Sequence, residues 1–202
     1  TRWDQGRYHN EMCPADVTSQ AGNGYVYAGC VATTLAQIMK FWNFPQTGMG
    51  SNSYVHARYG TQAVNFTQAN YNWNAMPDSL TLQNSAYHSE VQKITYHAAV
   101  AVNMNFSPVS SGANVPDAVD ALERNFKYSP AAFWVDRGSW KDDLEWKNLL
   151  RSEIDRGRPV LYAGYNQAKN QGHAFVLDGY NGDYFHFNWG WGGKSDGYYL
   201  VD

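Results

Sequence analysis

Cysteine is scarce in this sequence, with only Cys13 and Cys30 among 202 residues. At most one disulfide can form, which excludes a small scaffold held together by several disulfides. The two cysteines also do not form the paired spacing of a zinc site, and no His-Glu-x-x-His motif occurs. The sequence therefore predicts neither a metal ion nor another cofactor.

Long apolar runs and clusters of positive charge are also missing. No run approaches the roughly 18 apolar residues that a membrane-spanning helix requires. The 15 Lys and Arg residues are scattered, and 18 Asp and Glu residues bring the formal net charge to -3. Proteins that bind nucleic acid usually carry a basic patch. We therefore expect no membrane span and no nucleic-acid partner.

The residues that are present are sufficient for a substantial core, since 44% of them are hydrophobic. We expect one domain over residues 1–202. Residues 1–157 are predicted to be mainly helical with loops, and residues 158–202 to form an antiparallel sheet. Helices followed by strands are typical of an α+β fold, with a cleft between the two parts.

Four segments have helical periodicity, and four later runs are rich in β-forming residues. The predicted helices begin at Cys30, Ser89, Pro116 and Asp142 or Asp143. The predicted strands cover residues 160–162, 173–177, 184–189 and 198–201. Residues 43–78 are rich in Pro, Gly and Asn, which indicates an irregular connection with at most a short strand.

Cys30 lies between Gly29 and an apolar run with helical spacing, so it is predicted to lie in or beside the first turn of a helix. Unpaired backbone N–H groups and the positive end of the helix dipole stabilise a thiolate at this position. Cys30 is therefore a candidate nucleophile, whereas Cys13 is predicted to be a loop or core thiol. A nucleophilic cysteine also needs a base and a group that orients the base.

His173 is the candidate base, because Gly172 is expected to break the chain and place the imidazole at the start of a strand. A hairpin through residues 181–183 would bring Asn188 beside it, and Asn188 would accept a hydrogen bond from one ring nitrogen. His186 is the alternative base, but it shares a strand face with Asn188 and is predicted to be structural. Asp178 is the alternative orienting residue, although its position indicates a turn.

Several motifs then resemble one family of enzymes. They are Thr1-Arg2-Trp3-Asp4-Gln5-Gly6, Gly29-Cys30-Val31-Ala32-Thr33, Ala36-Gln37-Ile38-Met39-Lys40, Gly172-His173-Ala174-Phe175 and Asn188-Trp189-Gly190-Trp191-Gly192-Gly193. Together they resemble the streptopain family of bacterial cysteine peptidases, which have a papain-like fold. The resemblance covers nearly the whole chain.

The resemblance implies a role for each of six residues. Cys30 would be the nucleophile, His173 its partner and Gln5 a donor to the oxyanion. Asn188 would orient His173, and Trp189 with Trp191 would cover that contact.

The resemblance also implies protein or peptide substrates, an inhibitory N-terminal propeptide in the precursor, and secretion or a cell-surface location. An apolar side chain would be preferred two residues before the cut, in a pocket bordered by residues 168–171. Because the chain has no such propeptide, the resemblance implies that it corresponds to the mature catalytic part of a larger precursor. The resemblance also implies that relatives continue beyond the strand at residues 198–201.

We therefore expect a cysteine endopeptidase that acts through a thioester intermediate. Two alternatives stay open. One is a cell-wall peptide amidase with the same Cys-His chemistry. The other is a noncatalytic binding module that uses the many aromatic residues, 16% of the chain.

Overall fold

The computed structural model describes residues 1–201 as an α+β fold. The helices are α1 (Cys30–Trp42), α2 (His88–Ala101), α3 (Asp117–Phe126) and α4 (Asp143–Asp155). The strands are β1 (Ser51–His56), β2 (Gly60–Asn65), β3 (Val160–Asn166), β4 (Gln171–Asn181), β5 (Tyr184–Asn188) and β6 (Gly197–Leu200). Short 3₁₀ helices lie at residues 66–68, 73–75, 82–87 and 137–139.

Residues 160–200 form one antiparallel sheet in the order β3-β4-β5-β6, as the sequence predicts. Alternate residues of β4 face opposite sides of this sheet. Ala174 joins the core around α1, whereas Phe175 and Leu177 join a second core that contains α4. The sheet therefore separates two layers of packing.

The boundary between these two cores does not fall at residue 157, where the mainly helical part was expected to end. The larger core combines the N-terminal segment, β2 and helices α1 to α3, whereas Trp146 and Leu150 of α4 pack with the sheet. Helix α4 thus belongs to the sheet side, although it precedes the expected division at residue 157. Within residues 1–201, no helix is both long and apolar enough to cross a membrane.

Helix α1 runs through the larger core, and residues 31–39 are all buried. It begins at Cys30 because Gly29 turns the chain with a φ of 93°. A Cβ at Gly29 would lie 2.6 Å from the side chain of Met104, so both the backbone angle and the packing require glycine here. The tight turn fixes Cys30 as the first residue of the helix.

Residues 43–78 differ from the expected irregular connection, since they contain the complete β1–β2 hairpin. The hairpin is anchored by polar groups. Tyr54 donates a hydrogen bond to the carbonyl of Met104 at 2.6 Å, and Asn52 donates to the carbonyl of Val100 at 2.6 Å. Because side chains held this way need not be apolar, the two strands lack a strong hydrophobic alternation in the sequence.

Candidate active site

The structure places Cys30 directly against the sheet. It packs against the larger core, which includes Ala174 of β4, and the backbone N–H groups of Ala174 and Val31 act to lower the pKa of its thiol. Ala174 follows His173 in β4, so the packing of α1 on β4 brings the start of α1 to the strand that carries His173, 143 positions after Cys30 in the sequence. Cys30 is a partly exposed free thiol, whereas Cys13 is a buried free thiol in the larger core.

His173 lies inside β4, not at a chain break. Gly172 pairs with Tyr165 of β3, so the glycine continues the strand. The Nε2 atom of His173 lies 2.8 Å from the backbone carbonyl oxygen of Trp189. A carbonyl can only accept, so Nε2 carries the proton and Nδ1 of the neutral ring is the basic nitrogen.

Asn188 has different partners from the one that the sequence predicts. Its Nδ2 donates to the carbonyl of Thr1 at 2.7 Å and to Oε1 of Gln37 at 3.0 Å. The sheet register explains this difference. Asn188 lies opposite Val176, so its side chain projects to the sheet face opposite that of His173. The carbonyl of Trp189 takes the position at the imidazole that was predicted for the Asn188 side chain.

The turn after β5 holds this carbonyl in place. Oδ1 of Asn188 accepts a hydrogen bond from the N–H of Gly190 at 3.0 Å. The N–H of Trp189 donates to Oδ1 of Asp196, also at 3.0 Å. The peptide group that contains the Trp189 carbonyl and the peptide group before it are therefore both held by side chains. This restricts the direction in which the carbonyl points.

Two indole rings lie beside the imidazole. The ring centre of His173 is 4.8 Å from that of Trp191 and 6.0 Å from that of Trp189. The two indoles stack on each other at 5.4 Å with an angle of 15° between their planes. Trp191 is 41% exposed, so it forms the outer side of this stack and limits the access of water to the imidazole.

Gln5 lies in an extended N-terminal segment beside the start of α1. Its carbonyl accepts a hydrogen bond from the N–H of Ala28 at 2.8 Å. On the other side of the segment, Asp4 pairs with Trp191. The segment therefore runs between the residues that lead into Cys30 and the turn that carries the indoles.

Burial affects both candidate catalytic groups. It raises the pKa of the Cys30 thiol, while the N–H groups of Ala174, Val31 and Cys30 itself act in the opposite direction. Burial also lowers the pKa of His173, and the hydrogen bond to the Trp189 carbonyl opposes that shift. Each charged form is therefore disfavoured when it is alone. A thiolate and an imidazolium formed together keep the site neutral overall and attract each other.

The alternative residues lie elsewhere. His186 contacts Asp178 at 2.5 Å, and Asp178 occupies a β-bulge inside β4, not a turn. His186 pairs with Gly179, which is six residues along β4 from His173. At about 3.4 Å per residue, the two positions are about 20 Å apart along the strand. The His186–Asp178 pair is thus separate from Cys30.

Sequence reasoning did not assign roles to Gln37 or Asp196, although Gln37 lies within one of the motifs quoted above. Gln37 is buried on α1, and its side chain contacts Thr1, Trp3 and Asn188. Glutamine on a helix and aspartate in a Gly-rich turn are both common surface residues. Only the folded arrangement distinguishes these two.

The α+β fold, with a cysteine at the start of α1 and α1 packed on a sheet whose strand β4 carries a histidine, defines a papain-like cysteine peptidase fold. The active wild-type interpain A cysteine protease of Prevotella intermedia matches with a TM-score of 0.89 and 31% identity, covering 100% of this chain and 84% of that one. A fragment of Prevotella intermedia prointerpain A matches with a TM-score of 0.87 and 30% identity, covering 100% and 63%.

The chain belongs to the peptidase C10 family, whose model matches residues 3–199. It is 36% identical to the thiol protease/hemagglutinin PrtT of Porphyromonas gingivalis over 207 residues. It is 30% identical to streptopain of Streptococcus pyogenes serotype M1 over 216 residues. Each match covers 99% of this chain, but only 23% of PrtT and 53% of streptopain. The family and the α+β papain-like fold predicted from the sequence are confirmed.

Proposed function

We propose that this chain is the catalytic domain of a cysteine endopeptidase that uses Cys30 and His173. The observation that carries the proposal is the packing contact of Cys30, at the start of α1, with the core that contains Ala174, the residue next to His173 in β4. This contact joins the start of α1 to β4 at the one histidine that is also oriented by the turn at Trp189. The family membership supports the same chemistry.

The first step is attack on the peptide carbonyl. Proton transfer from the Cys30 thiol to Nδ1 of His173 creates a thiolate beside an imidazolium, and the thiolate forms a C–S bond to the substrate carbonyl carbon. The imidazolium then gives its proton to the leaving amine as the C–N bond breaks. A thioester between the substrate acyl group and Cys30 remains.

The second step releases the acyl group. His173, neutral again, takes a proton from water as the water attacks the thioester carbonyl. The C–S bond breaks, and the sulfur recovers a proton from the imidazolium. The hydrogen bond from Nε2 to the Trp189 carbonyl keeps the ring in one orientation through both steps.

The carbonyl oxygen becomes negatively charged in each tetrahedral intermediate. The Gln5 side-chain amide and the backbone N–H of Cys30 are the proposed donors to this oxygen, because the N-terminal segment holds Gln5 beside the start of α1. The N–H of Cys30 is among the unpaired donors at a helix start. Both donors would stabilise the charge as it develops.

The proposed substrates are proteins and peptides, with an apolar side chain preferred two residues before the cut. Residues 168–171, which run from the turn between β3 and β4 to the first residue of β4, are close in sequence to His173 and are the proposed border of the pocket. We further propose that a propeptide inhibits the precursor, which agrees with the existence of a prointerpain A, and that the enzyme acts outside the cell or at its surface.

The experiment is intact mass measurement after brief incubation with an epoxysuccinyl inhibitor of cysteine proteases. We expect one adduct on the wild-type chain and on Cys13→Ala, and none on Cys30→Ala. An adduct that persists in folded Cys30→Ala would contradict the assignment of the nucleophile.

Turnover distinguishes the alternatives. Hydrolysis of casein that disappears in Cys30→Ala supports the endopeptidase. Cleavage of peptidoglycan peptides without cleavage of casein would favour the amidase. A folded wild-type chain that forms no adduct and alkylates no faster than a simple thiol would favour the binding module.

A further inference from the structure

Gln37 lies on α1, seven residues after Cys30, and its side chain is buried among three segments of the chain. Its Oε1 atom accepts a hydrogen bond from Oγ1 of Thr1 at 2.8 Å and from Nδ2 of Asn188 at 3.0 Å. The N–H of Trp3 also points to this oxygen, at 3.4 Å. One amide oxygen therefore joins α1, the N-terminal segment and the end of β5.

The hydrogen-bonding needs of nearby backbone groups determine the orientation of the side-chain amides of Asn188 and Gln37. The Thr1 carbonyl needs a donor, so it fixes Nδ2 of Asn188, and the N–H of Gly190 needs an acceptor, so it fixes Oδ1 of Asn188. The N–H of Trp3 and Nδ2 of Asn188 then both require an acceptor from Gln37. The Oε1 end of Gln37 is consequently the end that faces these partners.

The nitrogen end of the Gln37 amide makes an unfavourable contribution to stability. Nε2 of Gln37 is buried and has no hydrogen-bond partner among residues 1–201. An unpaired buried donor destabilises the folded protein. Gly190 closes the space beside this atom, since a Cβ there would lie 3.8 Å from it and 3.2 Å from Thr33. The favourable contacts of the Gln37 side chain with the three segments thus come from its oxygen. A test of its role must therefore remove this oxygen.

We propose that Gln37 is a positioning residue for the Cys30–His173 pair, an inference that rests on the proposed function. The three segments that its oxygen joins carry the proposed catalytic groups. Helix α1 carries Cys30, the N-terminal segment carries Gln5, and the β5 turn holds the Trp189 carbonyl that orients His173.

The chain of contacts shows how the effect would reach the imidazole. Without the Gln37 oxygen, Nδ2 of Asn188 loses one of its two acceptors, and the amide that fixes the N–H of Gly190 is less restricted. The Trp189 carbonyl between these groups is then less firmly directed at His173. Cys30 stays at the start of α1, so its partner becomes misoriented while the nucleophile remains in place.

The test replaces Gln37 with methionine, which has a similar length but no comparable acceptor. The matched control is Gln62→Met. Gln62 is also buried, and its amide accepts from Tyr96 at 3.1 Å and donates to Tyr59 at 3.0 Å, in the hairpin away from the site. Both variants lose buried hydrogen bonds, so they separate a general loss of stability from an effect on the site.

Two readouts are measured on each folded variant: kcat and KM for a peptide substrate, and the rate of Cys30 alkylation by iodoacetamide as a function of pH. We expect kcat of Gln37→Met to fall about tenfold or more, because small misplacements of reacting groups are costly, while KM changes little. Alkylation should shift toward the profile of an ordinary thiol, whose pKa is about 8.5. Gln62→Met should keep both wild-type profiles.

Gln37→Glu is the conservative variant, because its carboxylate can accept from all three donors. We expect it to recover much of the kcat that methionine loses. If Gln37→Met does not fold, Asn188→Ala interrupts the same contacts from the other end and should produce the same two changes.

The inference would be overturned if the wild type is active while the folded Gln37 or Asn188 variants match Gln62→Met in kcat and alkylation profile. Failure of the proposed function gives a different result. In that case the wild-type chain itself shows neither turnover nor enhanced alkylation of Cys30.

Discussion

His97 makes the stability of this protein sensitive to acid. It lies on α2, where its Nδ1 is hydrogen-bonded to the hydroxyl of Tyr71 at 2.9 Å. Burial, with a smaller contribution from the Lys93 charge, lowers the pKa of His97 from 6.5 to about 4. The folded protein therefore holds this imidazole in its neutral form.

The magnitude follows from the difference in proton affinity between the folded and unfolded states. The pKa is lower in the folded state, so the unfolded chain binds the proton more tightly and stability falls as the pH drops below 6.5. The loss is nearly complete at pH 4. A shift of 2.5 pKa units corresponds to about 3 kcal/mol of unfolding free energy. This is a large fraction of the roughly 5 to 15 kcal/mol typical of a folded domain.

The measurement is urea denaturation at several pH values from 7 to 4. The comparison is between Tyr71→Phe and the double variant Tyr71→Phe/His97→Phe, because removing the hydroxyl from both avoids leaving it unpaired. Between pH 7 and 4, we expect the single variant to lose about 3 kcal/mol more than the double variant. Equal losses in the two proteins would show that His97 is not the buried neutral group described here.

Three further predictions concern other parts of the chain. Gln5→Ala should lower kcat by about 10²-fold with little change in KM, and a change in KM alone would remove Gln5 from the oxyanion site. Gly29→Ala should cost more unfolding free energy than Gly22→Ala, by about 1 kcal/mol or more, in chemical denaturation. Both glycines have a positive φ, but only at Gly29 would a Cβ contact Met104, at 2.6 Å, so equal costs would contradict this packing. Asp142→Ala should destabilise the protein by about 1 kcal/mol in the same assay through loss of the α4 N-cap, and an unchanged midpoint would count against the cap.

Local signals in the sequence located most of the secondary structure. Helix α4 begins after Asp142, whose side chain caps it, and α1 begins directly after Gly29, as both patterns predict. Each of these signals lies within a few residues of the feature it specifies. The β1–β2 hairpin was missed because polar contacts with distant residues hold it in place, to Val100 of α2 and to Met104 after that helix.

The candidate site also combines features that the local sequence predicts with contacts that depend on the tertiary structure. Its residue types and their family resemblance point to Cys30, His173 and the indoles from the sequence. The hydrogen bond to the imidazole was nevertheless predicted from the wrong group. A side chain in a strand faces one side of the sheet, and the pairing of Asn188 with Val176 sends it to the side opposite His173.

The sequence by itself determined the fold class, the family and the cysteine that begins the central helix, because these depend on local patterns and on motifs of a few adjacent residues. The tertiary structure alone decided which groups meet at the site. The Trp189 carbonyl reaches His173, and the Gln37 oxygen joins Thr1, Trp3 and Asn188. Strand register and helix packing bring these groups together from distant positions, and no local pattern encodes such contacts.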